Sequence, residues 1–120
     1  MLQKQGTQMQ VFGIVNCGSV KKAREFFAKH GVSYDFIDFK KTPPSAEMVR
    51  AWVEQKGIEV VLNKKGTTYK KLALKDKNLS LEEHIQYCVE NPSLIKRPVV
   101  QKDSALIFGF DAELYAQELL

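Results

Sequence analysis

Hydrophobic positions in the first third of the chain follow the spacing of a strand, then of a helix, then of a strand again. A short apolar run over residues 10 to 15 predicts the first strand. The apolar side chains that follow recur three or four residues apart, which predicts a helix over residues 18 to 30. Residues 33 to 39 alternate in a strand pattern, with apolar side chains on both faces. The three segments predict a βαβ unit.

The middle of the chain has helix signals on both sides of a basic stretch. Two prolines and Ser45 break the chain after residue 41 and cap a predicted helix over residues 45 to 56. Ser80 and Glu83 form a capping-box pattern, which predicts a helix that ends near Asn91. We interpret the basic stretch between the helices, residues 63 to 71, as a loop.

The last part of the chain predicts a hairpin and a closing helix. Two apolar segments, residues 94 to 100 and 105 to 110, flank a polar turn over residues 101 to 104. An amphipathic pattern capped by Asp111 then predicts a helix to the last residue. This order of elements is that of a thioredoxin-like fold. We therefore predict an α/β fold with a mixed four-stranded sheet and a helical insertion before the C-terminal hairpin.

The composition favours one soluble domain. The chain has 120 residues, of which 44% are hydrophobic and 27% charged, a composition typical of a globular protein. We expect a single domain over residues 10 to 120 and a loosely ordered tail over residues 1 to 9. No apolar stretch approaches the roughly 20 residues that cross a bilayer. The first residues are polar and lack the apolar segment of a signal peptide, so we expect a cytoplasmic protein.

Charge and cysteine content restrict the partners. The net charge of +4 is mild, and the basic stretch lacks the interleaved aromatics of a nucleic-acid groove, so a small anion is its expected partner. We expect a monomer that binds neither nucleic acid nor membranes. The two cysteines, Cys17 and Cys88, form no disulfide framework. His84 lies one helical turn before Cys88, but a metal site needs a third ligand, so we predict no metal and a buried Cys88.

Cys17 is the candidate for chemistry. It follows Asn16 and precedes Gly18 and Ser19, at the point where the first predicted strand gives way to the first predicted helix. Backbone N–H groups at the start of a helix have no intrahelical partner and stabilise a thiolate or a bound anion. With a lysine at position 21 one turn further on, we expect the pKa of Cys17 to lie below the ordinary value of about 8.5. A buried structural cysteine would more often lie inside an apolar run.

Three stretches together resemble the arsenate reductase (ArsC) family and, within it, the Spx/YffB-like branch. They are residues 12 to 23 around Cys17, residues 62 to 72 with the Gly66-Thr67-Thr68 sequence, and residues 91 to 100 with Arg97 and Pro98. The resemblance implies that Cys17 is the nucleophile, that Arg97 holds an anion and that Pro98 forms a cis peptide facing Cys17. The predicted site also has polar and basic residues for substrate binding, namely Asn16, Gly18, Ser19, Lys21, Lys64 and Lys65.

The chain departs from the arsenate reductases at two positions, and from Spx proteins and thioredoxins at a third. Asn63 and Phe110 occupy the positions of two further arginines in that family, and their loss weakens the chelation of an oxyanion. Val20 occupies the position of the second cysteine of Spx proteins and thioredoxins, so a local disulfide cannot form.

These features predict a cytosolic monothiol oxidoreductase without a bound cofactor. Cys17 would attack a disulfide, and glutathione or another small thiol would act as co-substrate and restore it. The first alternative is an arsenate reductase that receives electrons from glutathione or glutaredoxin. The second alternative is a non-enzymatic regulator that resembles Spx and binds RNA polymerase.

Overall fold

The computed structural model describes residues 9–120, which form two compact units. The first comprises the residues up to Lys41 together with Arg97–Leu120, and the second comprises Thr42–Lys96. Eight residues of the predicted tail lie outside the described part. Met9, the ninth, begins a strand and is 2% exposed, so the tail prediction is wrong for that residue. The single domain stays a prediction.

The first unit contains a mixed four-stranded sheet, which confirms the predicted fold class. Its strands are β1 (Met9–Gly13), β2 (Asp35–Asp38), β3 (Val99–Lys102) and β4 (Ala105–Phe108). They lie in the order β2-β1-β3-β4, with β1 parallel to β2 and the other pairs antiparallel. The pairing of Phe12 with Val99 brings the end of β1 beside the start of β3. Residues that follow β1 therefore lie near residues that precede β3.

Six helices complete the described chain. They are α1 (Gly18–Lys29), α2 (Ala46–Lys56), α3 (Ile58–Val61), α4 (Thr67–Lys71), α5 (Leu81–Glu90) and α6 (Ala112–Leu119). Short 3₁₀ turns lie at Leu74–Asp76 and Pro92–Leu94. None of the helices in residues 9–120 has the length and apolar character needed to cross a membrane.

Helices α1 and α6 share one hydrophobic core with the sheet of the first unit. Apolar side chains repeat three or four residues apart on α1, so one face of that helix is buried. The buried cluster consists of Met9, Val11, Ala23, Phe27, Val100, Ile107, Tyr115 and Leu119. The rings of Phe27 and Tyr115 stack with centroids 5.4 Å apart. The Tyr115 hydroxyl donates to the Gly109 carbonyl at 2.7 Å, which satisfies a buried polar group.

Local capping explains where the helices of the second unit begin. The Ser45 hydroxyl accepts from the Met48 N–H at 3.1 Å and caps α2. At α5, the Ser80 hydroxyl accepts from the Glu83 N–H and the Glu83 carboxylate accepts from the Ser80 N–H, so the predicted capping box is confirmed. An ion pair between Arg50 and Glu82 joins the two helices.

Several predicted boundaries differ from the observed ones. The first strand ends at Gly13 rather than at residue 15, and β3 begins only at Val99. Pro98 has no N–H to donate to a strand ladder, and Ile95 instead pairs with Leu62 in an isolated bridge. The predicted turn over residues 101 to 104 shortens to two residues, because Gln101 and Lys102 belong to β3. The basic stretch, predicted as a loop, contains helix α4.

Candidate active site

Cys17 caps the first helix of the sheet-containing unit. Its backbone is extended, with φ −116° and ψ 127°, and its carbonyl accepts the Lys21 N–H at 2.9 Å, the first hydrogen bond of α1. The thiol is partly exposed. This is the position at which a side chain can accept from the unpaired N–H groups of the first helical turn. The sequence prediction of a thiol at a helix N-terminus therefore agrees with the structure.

The surroundings of Cys17 favour its thiolate form. Partial burial by itself raises the pKa of the thiol. The Val20 N–H, the Arg97 side chain and the Ser19 N–H oppose burial and prevail, so the pKa of Cys17 lies below its ordinary value. The cationic contribution to this pKa comes from Arg97, the arginine that the family resemblance places beside Cys17, whereas Lys21 is not among the groups that lower it. A partly exposed thiolate is the reactive form of cysteine.

Arg97 and Pro98 lie on the segment that leads into β3. The Arg97-Pro98 peptide bond is cis, as the resemblance implied. Pro98 is buried, and its carbonyl accepts the Gly109 N–H at 2.8 Å, which ties the segment to the residue after β4. The Arg97 side chain lowers the pKa of the Cys17 thiol through a hydrogen bond and through its positive charge. The antiparallel pairing of β1 with β3 thus brings together two residues that are far apart in the sequence.

The other predicted binding residues fall into two groups. Asn16, Gly18, Ser19 and Lys21 surround Cys17 in the chain and are exposed. Lys64 and Lys65 belong to the second unit, where both are exposed and the Lys64 ammonium pairs with the Glu59 carboxylate. Glu59 raises the pKa of Lys64, and its negative charge partly offsets the positive charge of the lysine. Substrate binding by these six residues stays a prediction.

The two positions that lack arginine carry uncharged side chains. In the second unit, Asn63 donates its backbone N–H to Leu94, and its side-chain amide would lie 2.7 Å from a Cβ added at Gly66. In the first unit, the ring of Phe110 contacts those of Phe26 and Tyr115, with centroids 6.2 and 5.3 Å apart. Neither position supplies a cation.

Cys88 is an unreactive core residue of the second unit. It is 0% exposed, as predicted, and burial raises the pKa of its thiol to about 11. His84 is half-buried, with its ring Nδ1 3.1 Å from the Ser80 carbonyl oxygen. Within residues 9–120, no three His, Cys, Asp or Glu side chains are grouped so that they could hold a metal ion.

The contact between Gly13 and Val20 is a feature of the site that sequence reasoning missed. Gly13 ends β1, and a Cβ added there would lie 2.7 Å from Cγ2 of the fully buried Val20. This close approach sets the position of the first turn of α1, whose N–H groups stabilise the Cys17 thiolate. A glycine inside a strand often marks such an approach, and that signal was present in the sequence.

Substituting Gly13→Ala should both destabilise the protein and raise the pKa of Cys17. The added methyl group overpacks the core, which typically costs about 1 to 3 kcal/mol, and displaces Val20. Urea unfolding and thiolate absorbance measure the two effects. Gly18→Ala is the matched control, because a Cβ there meets no atom within 4 Å. Val20→Ala, combined with Gly13→Ala, should restore part of the lost stability. Unchanged stability and pKa in Gly13→Ala would contradict this role.

Alkylation of Cys17 should persist to lower pH than alkylation of an ordinary thiol. Only the thiolate reacts, so the rate with iodoacetamide should fall as the pH drops through the pKa, with a midpoint below that of the unfolded protein. A Cys88→Ala background restricts the reaction to Cys17, and the same protein unfolded in urea provides the reference. Because the folded state loses its proton first, stability should rise with pH between the two midpoints. A folded midpoint at or above the unfolded one would show that burial dominates.

Comparison with known proteins identifies the family. A profile of the ArsC family matches residues 12–117, which is most of the chain. This chain belongs to the ArsC family. A relative in Haemophilus influenzae, an uncharacterised protein, is 33% identical over 106 residues, covering 88% of this chain and 93% of that protein. The global transcriptional regulator Spx of Streptococcus pyogenes is 25% identical, over 82% of this chain and 75% of Spx.

A solved structure supports the same placement within the ArsC family. A protein named YffB has a TM-score of 0.89 and 35% sequence identity, covering 94% of this chain and 100% of that one. The fold is therefore the thioredoxin-like fold of this family, and the resemblance to the Spx/YffB-like branch is confirmed.

Proposed function

We propose that this ArsC-family protein is a monothiol oxidoreductase in which Cys17 exchanges disulfides with glutathione. One observation carries the proposal: the Cys17 thiol is partly exposed, and the Val20 and Ser19 N–H groups and Arg97 stabilise its thiolate. A thiolate near neutral pH is the nucleophile in thiol–disulfide exchange. The same groups are suited to bind a negatively charged substrate next to the sulfur.

The reaction has two balanced steps. The Cys17 thiolate attacks the glutathionyl sulfur of a mixed disulfide, so that a Cys17-glutathione disulfide forms and the substrate thiolate leaves and takes up a proton. A second glutathione thiolate then attacks the glutathionyl sulfur of that adduct. Glutathione disulfide forms, and the Cys17 thiolate is restored. In the net reaction, one mixed disulfide and one glutathione give the substrate thiol and glutathione disulfide.

An external thiol is the better candidate for the second step than a thiol of this chain. Val20 occupies the position at which a thioredoxin has its second cysteine, so no neighbouring thiol is available on the first turn of α1. Cys88 is fully buried, and with its pKa raised to about 11 it carries almost no thiolate at neutral pH. Glutathione fits the role because its two carboxylates suit a basic site.

Arsenate reduction is less well supported. Chelation of a tetrahedral oxyanion in the arsenate reductases uses three arginines by family resemblance, and this chain retains only Arg97. Asn63 is neutral, and Phe110 belongs to an aromatic cluster. A single guanidinium is sufficient for a carboxylate, which it can bind through two parallel hydrogen bonds.

Mass spectrometry of the reacted protein tests the proposal. Reduced protein incubated with glutathione disulfide should gain one glutathionyl group on Cys17, and excess reduced glutathione should remove it. Cys17→Ala, which leaves Cys88 in place, is the control and should gain none. If the wild-type protein stays unmodified but converts arsenate to arsenite in the presence of glutathione, the proposal is wrong and the protein is an arsenate reductase. Modification of Cys88 instead would contradict the assignment of the nucleophile.

A further inference from the structure

A groove lies along the exposed side of α1, beyond Cys17, and it combines two cations with one anion. The groove has a volume of about 400 Å³ and is lined by Val15, Lys21, Arg24, Glu25, Ala28 and Tyr34. All of these residues belong to the sheet-containing unit. Positions 17, 21, 24 and 28 are separated by three or four residues, so they share one face of α1. A ligand bound through sulfur at Cys17 can therefore extend along this groove.

Arg24 is held in place for binding. Its Nε donates to the Tyr34 hydroxyl at 3.1 Å, and its guanidinium carbon lies 4.7 Å from the centre of the Phe36 ring. These two contacts fix the plane of the guanidinium group. Within residues 9–120, no carboxylate forms an ion pair with Arg24. Because Tyr34 accepts from Arg24 through its oxygen, its own proton can be donated to a ligand.

The neighbouring charges suit a zwitterion. The Lys21 ammonium adds a second cation, whereas Glu25 adds a carboxylate on the same groove. Neither side chain has an ion-pair partner in the part of the chain that the structure describes. A simple anion would be repelled by Glu25, but an α-amino acid group has a carboxylate for Arg24 and an ammonium for Glu25. Val15, which is 54% exposed, adds an apolar side chain to the lining of the same groove.

We propose that this groove binds the γ-glutamyl end of glutathione, whose α-carboxylate contacts Arg24 and Lys21 and whose α-ammonium contacts Glu25. The inference rests on the proposed function and deepens it. The length of the γ-glutamyl arm is comparable with the spacing of these residues. Seven residues of helix place positions 17 and 24 about 10.5 Å apart along the helix axis. The extended γ-glutamyl arm reaches roughly 8 to 9 Å from the sulfur to the α-carbon, at the reach per bond of an extended chain. Glutathione is thereby distinguished from thiols that lack a γ-glutamyl group.

Binding of unreactive probes tests the groove without any turnover. We would titrate the reduced protein with S-methylglutathione, S-methyl-γ-glutamylcysteine and S-methylcysteinylglycine and follow the amide NMR shifts. The two γ-glutamyl probes should shift residues 21 to 28 and Tyr34. They should bind about threefold to tenfold more tightly than the third probe, the range for exposed charge contacts. Equal dissociation constants for the three probes would overturn the inference, as would shifts confined to other residues.

Variants assign the contacts. Arg24→Gln and Glu25→Gln should each weaken both γ-glutamyl probes severalfold and leave S-methylcysteinylglycine unchanged. Lys22→Gln, a neutralised cation on the same helix but outside the groove, is the matched control and should change none of them. If Arg24→Gln weakens all three probes equally, the groove does not recognise the γ-glutamyl group.

The two proposals can fail separately. Glutathionylation of Cys17 with no preference among the probes would support the oxidoreductase proposal and rule out γ-glutamyl binding in the groove. A clear preference for γ-glutamyl probes in a protein that never forms the Cys17 adduct would support γ-glutamyl binding in the groove and rule out the oxidoreductase proposal.

Discussion

Replacing Cys17 by serine should lower glutathione-coupled disulfide reduction by at least about a thousandfold, because a serine hydroxyl does not ionise near neutral pH and cannot form the mixed disulfide. The assay follows oxidation of glutathione while a small mixed disulfide is reduced. The fold should survive, since Cys17 is partly exposed and caps α1 through its backbone. Circular dichroism and urea unfolding check this.

Cys88→Ala is the matched control for the nucleophile. It should retain full turnover, because the Cys88 thiol is 0% exposed and protonated at neutral pH. It should lose about 1 kcal/mol of stability for the small cavity that remains. Retained turnover in Cys17→Ser would eliminate the proposed mechanism. Loss of turnover in a stably folded Cys88→Ala would identify Cys88 as a resolving thiol that becomes accessible during the reaction.

The second large effect is expected at Arg97. Arg97→Lys keeps the positive charge but loses the two-pronged geometry, which should cost about 1.5 to 3 kcal/mol, the range for hydrogen bonds to charged groups. Turnover would then fall roughly tenfold to a hundredfold. Arg97→Ala should fall further and should also raise the pKa of Cys17, since it removes both the hydrogen bond and the charge that favour the thiolate.

The pKa readout separates a direct role of Arg97 from a general loss of positive charge. Lys96→Ala removes an exposed cation next to Arg97 in the chain and should leave the alkylation midpoint of Cys17 unchanged. Lys64→Ala and Lys65→Ala should each raise the activation free energy of turnover by less than about 1 kcal/mol, as expected for exposed ammonium groups. Similar small effects for all the variants would show that Arg97 has no special role at Cys17 and that the anion site lies elsewhere.

The Spx relatives show that a protein of similar sequence carries a regulatory name. Spx is named a global transcriptional regulator, and it shares 25% identity with this chain. In this chain Val20 replaces the second cysteine of the local pair, so Cys17 cannot switch by forming a disulfide with that position. A thiolate without a local partner is better suited to repeated exchange with an external thiol.

Local signals in the sequence determined most helix boundaries and the position of the candidate nucleophile. The caps at Ser45, Ser80 and Asp111 lie within three residues of the N–H groups that they satisfy, so neighbouring residues alone specify them. The same is true of Cys17, because the strand pattern before it and the helix pattern after it define the helix N-terminus.

Tertiary structure decided where the strands end and which distant groups surround the thiol. Strand ends depend on hydrogen bonds to partners elsewhere in the chain, so the limit of β1 at Gly13 was not readable locally, although Pro98 is a local signal for the start of β3 at Val99. The same pairing brings Arg97 to Cys17, a proximity that only the family resemblance suggested beforehand. The contact of Gly13 with Val20 and the fixing of Arg24 by Tyr34 and Phe36 likewise require the packed sheet and helix. Hydrophobic spacing reports which face of an element is buried, but it does not report what that face meets.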